Sequence, residues 1–150
     1  MLVKRIVIVS VALVALFLVL NFLFPLPDKI EYATIITDNN GSIVNAYLSK
    51  DQKWRIKTEL NEISPLLSKT IIAKEDKYFY YHPGVNLLAI GRAAIVNTLH
   101  LKRTSGASTI SMQVARALSP RKRTVISKCI EAFRAFQLEL KYSKPEILQM

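Results

Sequence analysis

A long uncharged run near the amino terminus constrains this chain more than any other feature. Between Ile6 and Pro27 there is no charged residue, and Ser10 and Asn21 are the only strongly polar side chains. A helix of about 20 apolar residues is long enough to cross a bilayer. The sequence therefore predicts a transmembrane anchor at residues 6–27, preceded by a short tail at residues 1–5.

Two other interpretations of this run fit the sequence less well. A cleavable signal peptide has an apolar region of about 7 to 15 residues and ends at small residues, whereas this run is longer and ends in Phe22-Leu23-Phe24-Pro25. A core helix that is apolar on every face would be unusual in a chain of 150 residues. Because Lys4 and Arg5 precede the run, we expect a single-pass protein of the inner (cytoplasmic) membrane with a cytoplasmic amino terminus. The part after residue 27 would then be periplasmic or extracellular.

The remaining residues predict a small, mainly helical domain with one β-hairpin. Two strand-forming segments, 33–36 and 42–48, flank the turn sequence Asp38-Asn39-Asn40-Gly41 within a linker and hairpin region at 28–60. Helical periodicity then begins at Ser64-Pro65 and recurs at 86–99, 108–118 and 124–142, and a capping box at 143–146 opens one more helix. The segment 86–99 suits an interface-lying helix and a core-facing helix equally well. We expect the lone Cys129 to be a small buried apolar group.

The charge distribution predicts an anion-facing surface. The net charge is +10, and residues 102–150 hold ten basic and three acidic side chains, a net +7. Such a surplus beside 51% hydrophobic residues excludes a disordered tail and an ordinary neutral cytosolic enzyme. Nucleic acid is the usual partner of a basic surface, but the predicted topology favours phosphate or pyrophosphate carried on a lipid.

Three segments have residue types that can carry chemistry. Glu75 and Asp76 leave a helix and enter an aromatic-rich bend, where a shielded carboxylate could act as a base; solvated acids paired with lysines are the alternative. The small-residue loop 105–110 opens a helix and suits an anion, although such a pattern is most often just an N-cap. Lys128 and Glu131 share a helix face with Arg134, which could also be an exposed ion-pair row.

Taken together and in this order behind an anchor, the segments resemble the family 51 glycosyltransferase domain of class A penicillin-binding proteins. The resemblance covers nearly all of residues 30–150, and segments 51–55 and 112–116 look most similar to the 1C branch of that family. The first motif, Glu-Asp-x-x-Phe-x-x-His-x-Gly, is matched by Glu75, Asp76, Phe79, His82 and Gly84. The second, Gly-x-Ser-Thr-Ile-x-x-Gln, is matched by Gly106, Ser108, Thr109, Ile110 and Gln113. The third, Arg-Lys-x-x-Glu, is matched by Lys128 and Glu131, and residues 143–148 are similar to the start of a fourth.

The resemblance implies a lysozyme-like, mainly α glycosyltransferase head that polymerises lipid II, the undecaprenyl-pyrophosphate-linked disaccharide-peptide. It implies that Glu75 is the catalytic base and that Glu131 is a second catalytic carboxylate, positioning substrate or helping to bind a divalent cation, Mg²⁺ or Mn²⁺. The implied partners are lipid II, the growing glycan chain, the membrane and other cell-wall synthesis proteins, with no nucleic acid. The residues implied to bind substrate are Asp76, Phe79, His82, Arg92, Ser108, Thr109, Gln113, Arg116 and Lys128.

The sequence also departs from the family pattern. Ser127 stands where arginine is usual, and Gln149 stands where many members carry glutamate. Family domains continue through a Tyr-Leu-Asn segment and further helices beyond the position matched by Met150, and a transpeptidase domain follows in penicillin-binding proteins. We therefore expect a fragment of a longer domain or a truncated product. The alternative functions are an inactive chain that only binds lipid II or anionic lipids, and an anchored basic module for a protein or nucleic acid partner.

Overall fold

The computed structural model describes residues 1–27, 30–100 and 106–150, in which six α-helices and one hairpin are found. Lys102 and Arg103, two of the ten basic residues counted in 102–150, and Ser105 of the small-residue loop lie outside these residues. The hairpin strands are β1 and β2, and short 3₁₀ turns occupy Leu60–Glu62 and Phe79–Tyr81. The elements are α1 (Leu2–Leu23), β1 (Thr34–Thr37), β2 (Ile43–Tyr47), α2 (Pro65–Glu75), α3 (Leu87–Leu99), α4 (Ile110–Leu118), α5 (Val125–Lys141) and α6 (Lys144–Gln149). The predicted mainly α class with a short hairpin behind one apolar helix is confirmed.

Helix α1 is long and apolar enough to cross a membrane over Val3–Leu23. Its side chains are exposed along most of its length, as lipid-facing side chains would be. The helix ends just before Pro25 and Pro27, which cannot donate backbone hydrogen bonds to a continuing helix.

The hairpin forms where the turn sequence predicts it. Asp38 Oδ1 accepts hydrogen bonds from the backbone N–H groups of Asn40 and Ser42, each at 2.8 Å, which closes the turn between β1 and β2. The strands are antiparallel, with Thr34 opposite Tyr47 and an irregularity after Ile36. Ala33 N–H also donates to Arg55 O at 2.8 Å, so the chain that follows the hairpin stays beside β1.

The core of the head lies where α4, α5 and α6 pack around the turn that follows α2. Phe79 from this turn, Ile110 from α4, Leu138 from α5 and Ile147 from α6 are buried together. From α2, Ile72 packs against this cluster, whereas Leu66, Leu67 and Ile71 are exposed. Burial of the three helix faces therefore fixes the turn that carries Glu75 and Asp76.

Two predictions about burial are settled by the packing. Cys129 was predicted to be buried, and this is wrong: it is exposed, because it lies on the outer face of α5. On α3, Leu87 and Leu88 are 75% and 84% exposed, while Ala93 is buried. The leucines of α3 are therefore not core side chains, which favours the interface-lying interpretation.

Candidate active site

The turn between α2 and α3 is built around a buried carboxylate. Helix α2 ends at Glu75, and Asp76 is its C-cap. Both oxygens of Asp76 lie 2.9 Å from His82 Nε2, and Asp76 Oδ2 accepts from Ile110 N–H at 3.1 Å. Among the residues that the structure describes, the buried His82 Nδ1 has no hydrogen-bond partner. The Asp76–His82 pair therefore joins the turn to the start of α4.

Gly84 completes the turn and brings it against α5. Its φ is +93°, and a Cβ there would lie 2.8 Å from the carbonyl oxygen of Ala135. The Gly84 carbonyl accepts a hydrogen bond from Thr109 Oγ1 at 2.5 Å, while the same oxygen of Thr109 caps α4 by accepting from Met112 N–H. Thr109, a residue of the second motif, thus links that motif to Gly84 of the first motif.

Glu75 lies at the edge of an open cleft of about 490 Å³. Its side chain is exposed, and Glu75 Oε2 accepts a hydrogen bond from Gln113 Nε2 at 3.0 Å. Of the two interpretations of this carboxylate, shielded by aromatic rings or solvated, the structure favours solvation, because Phe79 turns into the core and leaves Glu75 exposed. The cleft is lined by residues 73–78, Asn86, Leu88, Ala89, Arg92 and residues 106–109.

A lysine from α5 reaches the small-residue wall of this cleft. Lys128 Nζ donates to Ser108 Oγ at 3.1 Å, and the Lys128 side chain is exposed. Because a neutral hydroxyl does not neutralise its charge, this ammonium group can meet an anion bound beside the loop. Arg92 approaches the same cleft from α3.

Glu131 pairs with Arg116 rather than with Lys128. The Arg116 guanidinium donates from Nε and Nη2 to the two Glu131 oxygens, both at 2.7 Å. The hydrogen bonds to Glu131 raise the pKa of Arg116, although its burial acts in the opposite direction. The alternative of an exposed ion-pair row of Lys128, Glu131 and Arg134 is therefore wrong. Packing of α4 on α5 brings Arg116 to Glu131, and Arg134 contacts the end of α1.

The residues do not form a ready metal site. Within residues 1–27, 30–100 and 106–150, no three His, Cys, Asp or Glu side chains come together. Both oxygens of Glu131, the carboxylate expected to help bind a cation, are engaged by Arg116. The donor set therefore does not fit a divalent cation.

A buried polar network that the sequence analysis missed supports the turn from behind. Lys144 Nζ donates to the carbonyl of His82 at 2.7 Å and to Glu139 Oε1 at 2.8 Å, and it lies 4.4 Å from the Phe79 ring centroid. Ser111 Oγ also donates to Glu139 Oε1. The resemblance of residues 143–148 to the start of a fourth motif was the sequence feature that could have indicated this network. The network connects α4, α5 and α6 with the turn that carries Glu75 and Asp76.

The predicted substrate-binding residues fall into two groups. Arg92, Ser108, Gln113 and Lys128 lie in or beside the cleft and are exposed or half-buried. A second group is engaged in the fold: Phe79 is 0% exposed, and the side chains of Asp76, His82, Thr109 and Arg116 bind other protein groups. The side chains of the second group hold the site in shape, and their contact with substrate stays a prediction.

The two departures from the family pattern have structural counterparts. Ser127 is buried at the start of α5, where its N–H donates to Thr124 Oγ1 at 3.0 Å. Gln149 Nε2 donates to Glu59 Oε2 at 2.8 Å. A neutral amide at position 149 therefore accommodates a carboxylate that a glutamate there would repel.

Comparison with known proteins relates this arrangement to one family. The Transglycosylase family profile matches residues 40–150. The chain is 36% identical over 129 residues to penicillin-binding protein 1C of Escherichia coli (strain K12), covering 85% of the chain and 17% of that protein. It is 37% identical to penicillin-binding protein 1A of the same strain (81% and 14% covered) and 34% identical to penicillin-binding protein 4 of Bacillus subtilis (strain 168) (75% and 18%). The chain spans less than one fifth of the length of these relatives.

Proposed function

Because the chain belongs to the Transglycosylase family of class A penicillin-binding proteins, we propose that its head is a peptidoglycan glycosyltransferase that polymerises lipid II into glycan strands. The observation that carries the proposal is the position of Glu75, an exposed carboxylate held by Gln113 at the edge of a cleft. Arg92 lines this cleft, and Lys128 contacts its wall at Ser108. A base beside cations is what transfer from a sugar pyrophosphate requires.

In the proposed reaction Glu75 takes the proton of the acceptor's 4-hydroxyl group. The acceptor oxygen then bonds to the anomeric carbon of the growing chain, and the bond from that carbon to the pyrophosphate oxygen breaks. Attack opposite the leaving group inverts the configuration at the anomeric carbon. The electron pair leaves with undecaprenyl pyrophosphate, whose charge Lys128 and Arg92 stabilise.

Gln113 and Glu131 have supporting roles in this proposal. The Gln113 amide orients the Glu75 carboxylate through its 3.0 Å hydrogen bond and leaves the second oxygen available to the acceptor. Glu131 fixes Arg116 through two hydrogen bonds and so shapes the wall of α4 and α5 from which Lys128 reaches Ser108. We propose that α1 anchors this head in the inner membrane with the amino terminus in the cytoplasm. The head then lies on the outer side of the membrane, within reach of lipid II in the outer leaflet.

Substitution of the base tests the proposal. Glu75→Gln should lower the polymerisation rate of labelled lipid II by about 10²- to 10⁴-fold, the usual contribution of a general base. Glu31→Gln is the matched control and should keep full activity. It removes an exposed carboxylate that, among the described residues, forms an ion pair only with Lys50, at 3.8 Å. Unchanged turnover of Glu75→Gln, with circular dichroism matching the parent protein, would refute the assignment.

A second candidate function is binding of lipid II without turnover. It is favoured by the fact that Lys128, Ser108 and Arg92 all reach the cleft from elements within this chain. Binding of fluorescent lipid II, measured beside a turnover assay on the same protein, distinguishes the two. Retained affinity with no released pyrophosphate would establish the binding function, and release of pyrophosphate would establish the transferase.

A further inference from the structure

Asn21 is one of the two strongly polar side chains between Ile6 and Pro27, and the structure gives it a partner. A polar group in a membrane helix is costly unless it is satisfied, and it commonly marks a functional contact. Asn21 Oδ1 accepts a hydrogen bond from Gln137 Nε2 of α5 at 2.7 Å. Gln137 itself is only 3% exposed. The contact thus joins the anchor helix to the interior of the head.

Further contacts satisfy the carbonyl groups at the end of α1. The last carbonyls of a helix have no intrahelical donor and need another partner. Gln137 Nε2 and Arg134 Nη1 each lie 3.0 Å from the Phe24 carbonyl oxygen, and Arg134 Nη1 also donates to the carbonyl of Pro25. Arg134 Nη1 and Gln137 Oε1 are in turn 3.1 Å apart. The residues Asn21, Phe24, Arg134 and Gln137 form what we call the anchor clamp.

An aromatic contact extends the interface towards the membrane. The rings of Phe17 and Phe133 meet edge to face with centroids 5.5 Å apart. Phe17 lies six residues before Leu23, the last residue of the span, and so about 9 Å inside its outer end at the usual rise of an α-helix.

We infer that the anchor is not a loose tether but is docked on α5 through the anchor clamp, so that the height and tilt of the active-site cleft are fixed relative to the bilayer. Helix α5 also carries Lys128 and Glu131, and movement of the anchor is therefore transmitted to the cleft. The Phe17–Phe133 contact places the adjoining part of α5 within the outer leaflet, against lipid. The inference rests on the proposed membrane anchoring but requires no catalytic activity.

Distance measurements in lipid nanodiscs test the docking. The chain has a single cysteine, the exposed Cys129 on α5, which takes one nitroxide label, and Val3→Cys places a second near the far end of the anchor helix. We expect a single narrow distance distribution by pulsed electron–electron double resonance. Asn21→Leu should replace it with a broad one, and Gln137→Met should do the same.

A matched control separates the clamp from general changes in anchor polarity. Ser10→Leu removes the other polar side chain of the span and should leave the distribution narrow, with equal helicity in all variants. A broad distribution in the unsubstituted labelled pair, or an unchanged narrow one in Asn21→Leu, would overturn the inference. Failure of the protein to enter nanodiscs would overturn the anchoring as well, whereas loss of lipid II turnover alone would bear only on the proposed function.

Discussion

Replacing Gly84 with alanine should destabilise the head by about 2 to 5 kcal/mol, because two separate penalties act at this position. The backbone φ of +93° costs an alanine about 1 to 2 kcal/mol. The new Cβ would also lie 2.8 Å from the carbonyl oxygen of Ala135, which is buried backbone and cannot swing aside. Forcing the turn and α5 apart to admit a methyl group adds about 1 to 3 kcal/mol.

Two other glycines allow the penalties to be measured separately. Gly41 has a φ of +82° and nothing within 4 Å of an added Cβ, so Gly41→Ala should cost only the conformational part, about 1 to 2 kcal/mol. Gly91 lies inside α3 with open space around it, so Gly91→Ala should stabilise the protein by about 0.5 to 1 kcal/mol. The difference between Gly84→Ala and Gly41→Ala is then the steric part.

Urea unfolding of the detergent-solubilised protein, followed by circular dichroism, provides the measurement. The midpoint should rise for Gly91→Ala, fall for Gly41→Ala and fall furthest for Gly84→Ala. If Gly84→Ala lowered the midpoint no more than Gly41→Ala, the close approach of Gly84 to α5 would be refuted.

Two further predictions concern charges away from the cleft. Lys144→Met should lower the free energy of unfolding by about 3 kcal/mol, because it leaves the largely buried Glu139 carboxylate without its cation. Lys50→Met at an exposed pair should change it by less than about 1 kcal/mol, and equal effects of the two substitutions in urea melts would contradict the network around Lys144. Hydrogen bonds from Arg55 and Ser49 hold the pKa of Asp51 well below its ordinary range, so its contribution to stability is present above about pH 4 and is lost as the pH falls through the lowered pKa. Asp51→Asn should therefore reduce the acid sensitivity of the unfolding midpoint between about pH 4 and pH 2, and an unaltered pH profile would refute the linkage.

Local chemistry in the sequence was enough to predict most elements of the fold. Ser64-Pro65 begins α2, Asn86 and Thr124 cap α3 and α5 through their side chains, and Ser143 opens α6 with a capping box. These signals act within a few residues, so no tertiary contact is needed to interpret them.

The candidate site could be predicted only in part, because its details depend on contacts between helices. Spacing on α5 indicated that Glu131 shares a face with Lys128, but it could not indicate that α4 presents Arg116 to the same carboxylate. Likewise the aromatic residues after Asp76 suggested a shielded base, yet the core takes Phe79 and leaves Glu75 in water. Packing, which is non-local, decides both outcomes.

The openness of the site around Glu75 has a consequence for repeated cycles. After each sugar is added, a catalytic carboxylic acid must lose its proton before it can serve again. A carboxyl group in direct contact with solvent can release that proton to bulk water without a chain of relay residues. Under the proposed reaction, regeneration of the base would therefore not limit how quickly successive disaccharides are joined.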